Sequence, residues 1–311
     1  MLPAMLGRPR FALWLAAVRP GFLVVTLAAA ALGIAVAWAC GPARDVPAAL
    51  ATLLLALLTH AAVNLYNDYG DAVGGSDAAN VDRIGPFTGG SRMVQDGRLS
   101  ARQMHDAALL LGMLVVGGGL LLAARAGPGL LAIGLAGLAL GWAYSSPRIA
   151  LMNRGLGELA VAAGWWLVVV GADHVQRRHF DTAPMVAAVS PALLIAAVLW
   201  VAEFPDARAD AAVGKRTLVV RLGAPAAAWG FVALLVLAHA WVWAWWQAHW
   251  LPTHAGWALL SAGPAALAAL LLVRRCRTPQ ALRPAIAWTL VAAVSHPLLL
   301  AAAYGAVAAM R

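Results

Sequence analysis

Residues 222–273 read LGAPAAAWGFVALLVLAHAWVWAWWQAHWLPTHAGWALLSAGPAALAALLLV and contain no Asp, Glu, Lys or Arg. A helix needs ~20 apolar residues to cross the ~30 Å hydrocarbon core of a bilayer. The stretch is therefore long enough for two membrane-spanning helices, and its HWLP segment at 249–252 predicts the turn between them. Such a run predicts an integral membrane protein and excludes a soluble enzyme.

The rest of the chain repeats this pattern. Of the 311 residues, 63% are hydrophobic and 11% are charged, whereas soluble domains average ~25% charged residues. The uncharged stretches predict an all-α, polytopic membrane protein with nine transmembrane helices. We place them at 20–39, 46–68, 103–124, 128–145, 155–172, 184–204, 223–246, 256–273 and 284–307. The fifth helix spans the membrane only if Glu158 lies at its polar end.

The basic residues predict an orientation. Lys and Arg are enriched in cytoplasmic loops, and the side of the N-terminus carries 17 of the 22 basic residues against five on the other side. We therefore expect a multi-pass protein of the inner (plasma) membrane with a cytosolic N-terminus and an external C-terminus. The net charge of +9 comes from these scattered loop residues, so it does not indicate nucleic-acid binding.

Most of the acidic residues lie in or beside two cytosolic loops, at about 69–102 and 205–222. The eight of 13 acids in this group are Asp68, Asp71, Asp77, Asp82, Asp96, Glu203, Asp206 and Asp210. Spacings of three, four and seven residues place side chains on one helix face. The first such face consists of Asn64, Asn67, Asp68 and Asp71. The second consists of Glu203, Asp206 and Asp210, and we expect Pro205 to kink the helix or to start a turn there.

Two oxygen-rich helix ends that face each other suit Mg²⁺, which prefers a few carboxylates together with water and phosphate oxygens. The sequence has no His/Cys ligand set for zinc. Lys215, the only lysine of the chain, follows Asp210 closely. We expect it to neutralise a phosphate together with one of four loop arginines: Arg83, Arg92, Arg148 or Arg154. An ion-coupled transporter is the alternative of another class, although it predicts acids near the middle of the membrane.

These residues resemble the UbiA superfamily of intramembrane prenyltransferases. Asn67-Asp68-x-x-Asp71 and Asp206-x-x-x-Asp210, the latter followed by Gly-Lys-Arg-Thr at 214–217, look like its paired Asp-rich motifs. The resemblance implies nine helices around a central cavity open to the cytosolic side. It also implies one prenyltransferase domain over residues 1–311, in which residues 1–19 form a cytosolic or interfacial segment.

Within the superfamily, the chain is most similar to the 1,4-dihydroxy-2-naphthoate polyprenyltransferases of menaquinone synthesis. The similarity covers the loop 75–86 and the segments Tyr-Ser-Ser-Pro at 144–147 and Gly-Leu-Gly-Glu at 155–158. Phe-Thr-Gly-Gly-Ser-Arg at 87–92 departs from that branch, and Gly75 stands where many relatives have Asp, with Asp77 as a replacement. The acceptor therefore stays open between dihydroxynaphthoate and 4-hydroxybenzoate, a porphyrin-derived ring or a phosphosugar.

The resemblance implies transfer of a polyprenyl group from its diphosphate to an aromatic acceptor with Mg²⁺ as cofactor. The metal ligands it implies are Asp68, Asp71, Asp206 and Asp210. Catalytic roles extend to Lys215, Tyr69 and Tyr144. Substrate-binding roles fall on Asn64, Asn67, Asp77, Arg83, Arg148, Glu203 and Lys215. The expected partners are the prenyl diphosphate, the acceptor and membrane lipid, with no nucleic acid and no obligate protein partner.

Overall fold

The structure is a computed structural model that describes residues 10–41 and 44–310. Arg8 and Arg311, which entered the count of basic residues, lie outside this part. The described chain is predominantly helical and has no strands. Its α-helices are α1 Arg10–Ala17, α2 Pro20–Cys40, α3 Val46–Gly74, α4 Ser76–Ala79, α5 Ala101–Ala126, α6 Pro128–Ser145, α7 Gly157–Arg177, α8 Thr182–Ala212, α9 Leu218–Leu222, α10 Ala224–Gln247, α11 Ala262–Arg275 and α12 Arg283–Ala309. Short 3₁₀ helices cover Leu151–Arg154, Thr253–Ser261 and Pro279–Ala281.

Nine helices of the described chain are long and apolar enough to cross a membrane, which confirms the predicted fold class. They are α2, α3, α5, α6, α7, α8, α10, α11 with the 3₁₀ helix Thr253–Ser261 that precedes it, and α12. Glu158 lies in the first turn of α7, where the prediction of the fifth span required it.

Two helices run further than their apolar segments. α3 continues to Gly74, so the first acidic cluster lies on the helix itself and ends at the left-handed Gly75. We expected Pro205 to kink α8 or to start a turn, but α8 continues through it to Ala212. A proline removes one helical hydrogen bond, and α8 is buried on several sides by its neighbours, so packing holds the helix together past that position.

The main core is built by α2, α7, α8, α10, α11 and α12, largely from Ala, Val and Leu. Gly33 of α2 lies so close to the Val169 carbonyl of α7 that a side chain would overlap it, as is typical of small residues between membrane helices. By contrast, α5 and α6 bury little of their surface and expose leucines such as Leu121 and Leu135. These two helices form a thin wall, and a cavity lies behind it.

Candidate active site

The cavity has a volume of about 500 Å³ and lies between α2, α3, α5, α6, α7 and α8. Thr52 and Asp71 of α3 both line it. At 1.5 Å per residue, these positions are about 28 Å apart along the helix, close to the ~30 Å thickness of the hydrocarbon core. Apolar side chains and glycines line most of this length. Acidic and basic side chains gather at one end of the cavity, the polar end, which contains Asp71.

Lys215 connects the two acidic clusters. Its Nζ lies 2.5 Å from a carboxylate oxygen of Asp71 on α3 and 3.5 Å from one of Asp210 on α8. Burial by itself lowers the pKa of the ammonium, but Asp71 and Asp210 outweigh it and raise the pKa above its ordinary value. The charged amine thus stands between carboxylates that come from residues far apart in sequence.

The loop at 88–91 reaches both clusters with its backbone. The Gly89 N–H donates to Asp206 at 3.2 Å, and the Ser91 N–H donates to Asp68 at 3.0 Å. Gly90 has a φ of +67°, and a Cβ on it would lie 2.5 Å from a carboxylate oxygen of Asp77. Only glycine tolerates both the left-handed backbone and this close approach. The Gly-Gly pair that departs from the menaquinone branch is therefore a structural part of the polar end.

Asp77 lies on α4, buried next to the first cluster. Its carboxylate accepts a hydrogen bond of 3.3 Å from Gln95 Nε2, and its main-chain carbonyl accepts one of 2.5 Å from Arg92. Burial, together with the charges of Asp71 and Asp68, raises the pKa of Asp77 to about 7. The side chain therefore titrates near neutral pH when only protein groups surround it.

Arg19 is the cation of this site that sequence reasoning missed. It immediately precedes α2, lines the cavity and forms an ion pair with Asp68. In the sequence it is only one of the basic residues that predict the orientation. The sequence does not indicate that Arg19 belongs to the site, because its partner Asp68 is 49 residues away along the chain.

The structure brings most of the predicted site residues to one cavity. Those that line it are Asn64, Asn67, Asp71, Asp77, Tyr144, Glu203, Asp206, Asp210 and Lys215. Asn67 also donates to Ser145 Oγ at 3.3 Å, and Asn64 donates to the Val18 carbonyl at 3.0 Å. Ser76, Asn80, Thr88 and Thr217 line the cavity as well, and they were not predicted.

Four predicted residues do not line the cavity: Asp68, Tyr69, Arg83 and Arg148. Successive helix residues point ~100° apart, so Asp68 turns away from Asn67 towards Arg19. Tyr69 packs against His105, with ring centroids 4.9 Å apart. The Arg83 and Arg148 side chains are exposed. Of the predicted face on α3, Asn64, Asn67 and Asp71 line the cavity and Asp68 does not. Helical spacing alone does not show which side of a face another segment covers.

The donor set at the polar end fits Mg²⁺ in its chemistry. Asp71, Asp206 and Asp210 supply hard carboxylate oxygens at the same end of one cavity, which is the ligand type that Mg²⁺ prefers. Asn80 donates to Asp206 at 2.6 Å through Nδ2, while its buried Oδ1 has no hydrogen-bond partner. Within the described residues, no three acidic, His or Cys side chains already converge as a metal site, since Lys215 and backbone N–H groups hold these carboxylates.

Comparison with known proteins gives consistent results. The sequence model of the UbiA prenyltransferase family matches residues 23–292. The 1,4-dihydroxy-2-naphthoate octaprenyltransferase of Escherichia coli (strain K12) is 33% identical over 293 residues, which covers 92% of each chain. The enzyme of the same name from Mycobacterium tuberculosis (strain ATCC 25618 / H37Rv) is 33% identical over 215 residues, 68% of this chain and 70% of that one.

A solved structure shows the same fold. The UbiA homolog from Archaeoglobus fulgidus bound to GPP and Mg²⁺ superposes with a TM-score of 0.63. The two chains are 16% identical, and the match covers 96% of this chain and 99% of that one.

Proposed function

This chain belongs to the UbiA prenyltransferase family and is an integral-membrane polyprenyl transferase, and from that premise we propose that it prenylates 1,4-dihydroxy-2-naphthoate in menaquinone biosynthesis. The acceptor is the one named for its relatives in Escherichia coli and Mycobacterium tuberculosis. A single domain over residues 1–311 carries the activity.

One observation carries this proposal. Two carboxylate clusters joined by Lys215 lie at the polar end of an apolar cavity that is about as long as a membrane is thick. A prenyl diphosphate has the same division into a highly charged head and an apolar tail. The head would bind at the polar end and the tail would extend along α5, α6 and α7.

We assign Mg²⁺ to the polar end, with Asp71, Asp206 and Asp210 as carboxylate ligands and Asn80 Oδ1 as a further oxygen. The structure with GPP and Mg²⁺ supports a metal in this fold. When bound, Mg²⁺ supplies charge neutralisation and Lewis-acid polarisation of the diphosphate. Asp68 instead holds Arg19 in position through their ion pair.

The protein's own groups complete the reaction site. Lys215 and Arg19 would donate charge-assisted hydrogen bonds to the diphosphate oxygens and hold them as the C–O bond breaks. The Tyr144 ring, at the end of α6, would face the allylic carbon and stabilise positive charge there by ~0.5–2 kcal/mol. Asn64 and Asn67 would orient the acceptor, and the apolar walls would exclude water from the allylic cation.

We also propose that the protein lies in the inner (plasma) membrane with its polar end in the cytosol. The 17-to-5 division of the basic residues supports this orientation. The charged diphosphate head and the water-soluble aromatic acid would then reach the polar end from the cytosol.

Activity and product mass test the proposal. The purified protein is incubated with Mg²⁺, a long-chain prenyl diphosphate and a panel of aromatic acids that includes 1,4-dihydroxy-2-naphthoate and 4-hydroxybenzoate. We expect a prenylated dihydroxynaphthalene that has lost CO₂, and no product in the presence of a chelator. Products formed only from another acceptor would refute the assignment of dihydroxynaphthoate.

A further inference from the structure

The only two glutamates of the chain meet beside the cavity. Glu158 lies in the first turn of α7, and Glu203 lies on α8, one turn before Asp206. Both side chains are more than nine-tenths buried, and their carboxyl groups face each other. All other acidic residues of the chain are aspartates.

In the described part of the chain, this pair of carboxylates has no basic side chain as an ion-pair partner, although the neighbouring Asp71 and Asp210 share Lys215. Both oxygens of Glu158 are buried without a donor, and Glu203 accepts only a long bond of 3.4 Å from the Val219 N–H. Two ionised carboxylates in contact repel each other strongly away from water. Their contact is a hydrogen bond only when one of them carries a proton.

Glu203 is placed to act on the acceptor. It lines the cavity about 4.5 Å deeper along α8 than Asp206, where an aromatic ring would approach the first carbon of the prenyl chain. Tyr144 from α6 lies near both glutamates, and Asp210 from α8 lies near Glu203. His60, the other titratable side chain that lines the middle of the cavity, is held by Thr26 through a 2.7 Å hydrogen bond.

We propose that Glu203, with Glu158 behind it, takes up the hydroxyl proton of the aromatic acceptor during attack and returns it afterwards. This step rests on the proposed function, because it needs an acceptor with a ring hydroxyl. The O–H bond breaks and its proton moves to Glu203, while a ring carbon bonds to the prenyl carbon and the C–O electron pair leaves with the diphosphate. Loss of CO₂ from that ring carbon then returns an electron pair to the ring, and the oxygen recovers its proton from Glu203.

The first test compares Glu203→Gln with the wild type. Glutamine keeps the size and can donate a hydrogen bond to Glu158, so the fold should be retained, but it cannot accept the proton. We expect kcat to fall by about 100-fold or more, with the affinity for prenyl diphosphate and Mg²⁺ unchanged. Asp106→Asn removes an exposed carboxylate of α5 outside the cavity and serves as the matched control with wild-type turnover.

The second test changes the acceptor. A ring-fluorinated acceptor has a more acidic hydroxyl and depends less on a base, so the deficit of Glu203→Gln should shrink with it. A purely structural role of the pair would leave the deficit the same for both acceptors. Equal kcat of Glu203→Gln and wild type, or a deficit independent of acceptor acidity, would overturn the inference.

Glu158 provides an independent variant. Glu158→Gln should lower kcat less than Glu203→Gln, because it acts through Glu203, and the double variant should be no worse than Glu203→Gln alone. If Glu203→Gln does not fold, Glu158→Gln with the two acceptors carries the test. Additive losses would refute a shared proton. A wild type that prenylates no hydroxylated ring would instead overturn the proposed function, so the two failures are distinguishable.

Discussion

Replacing Lys215 by methionine removes the one ion-pair partner that Asp71 and Asp210 share within the described part of the chain. The three side chains are 7%, 13% and 10% exposed, respectively, so solvent screens the pair little. Removing one partner of a buried ion pair costs about 3–5 kcal/mol. At roughly 2–4 °C of Tm per kcal/mol for a chain of a few hundred residues, the metal-free variant should unfold about 10 °C below the wild type.

The assay is thermal unfolding in detergent, first with a chelator and then with Mg²⁺. Because Lys215 competes with a cation for Asp71 and Asp210, Mg²⁺ should raise the Tm of Lys215→Met by more than that of the wild type. Arg216→Met removes an exposed charge one residue later and should leave Tm unchanged. A Lys215→Met protein as stable as the wild type without metal would refute the role of Lys215 as the counter-charge.

Further variants test other parts of the polar end and the core. Asp206→Asn should lower turnover by more than ~100-fold without unfolding the protein, because a metal ligand supplies several kcal/mol to the transition state; retained turnover would contradict its assignment. Gly90→Ala should abolish activity and lower Tm, since its Cβ would meet the Asp77 carboxylate; crystals of an active, unshifted variant would contradict this. Asp77 has a pKa of about 7 against 3.8 in an unfolded chain, so it makes the metal-free protein less stable as pH rises from 4 to 7. Asp77→Asn should therefore flatten that slope in thermal unfolding at a series of pH values. His296→Leu should lower Tm, because the buried ring bridges two serine hydroxyls at 2.8 and 2.9 Å; an unchanged Tm would show that the bridge is dispensable.

The membrane fold could be predicted because it depends on local composition. Most spans contain an uncharged run close to the length that a bilayer requires, and the structure has its helices where these runs lie. The helix ends were less predictable. α3 and α8 continue past their apolar segments because their polar turns pack on other segments at the membrane surface, and hydropathy does not record such contacts.

The site could be predicted in part. Motif spacing places Asp71, Asp206 and Asp210 on helix faces, and the isolated Lys215 suggested a role beyond orientation. The contacts of Arg19 with Asp68 and of Gly89 with Asp206 join residues 49 and 117 positions apart, and no spacing rule reports such distances. For the same reason the meeting of Glu158 and Glu203 became visible only in the fold.

Because the chain has a single lysine, chemical labelling of Lys215 can report on the polar end of the cavity. An amine-specific reagent has one side-chain target in these 311 residues, and it reacts only with the neutral amine. Asp71 and Asp210 keep Lys215 charged, and the cavity keeps it 93% covered (7% exposed). Separation of the two acidic clusters would expose and neutralise the amine, so the labelling rate of Lys215 would rise. Mass spectrometry on intact membranes measures this rate without any engineered probe.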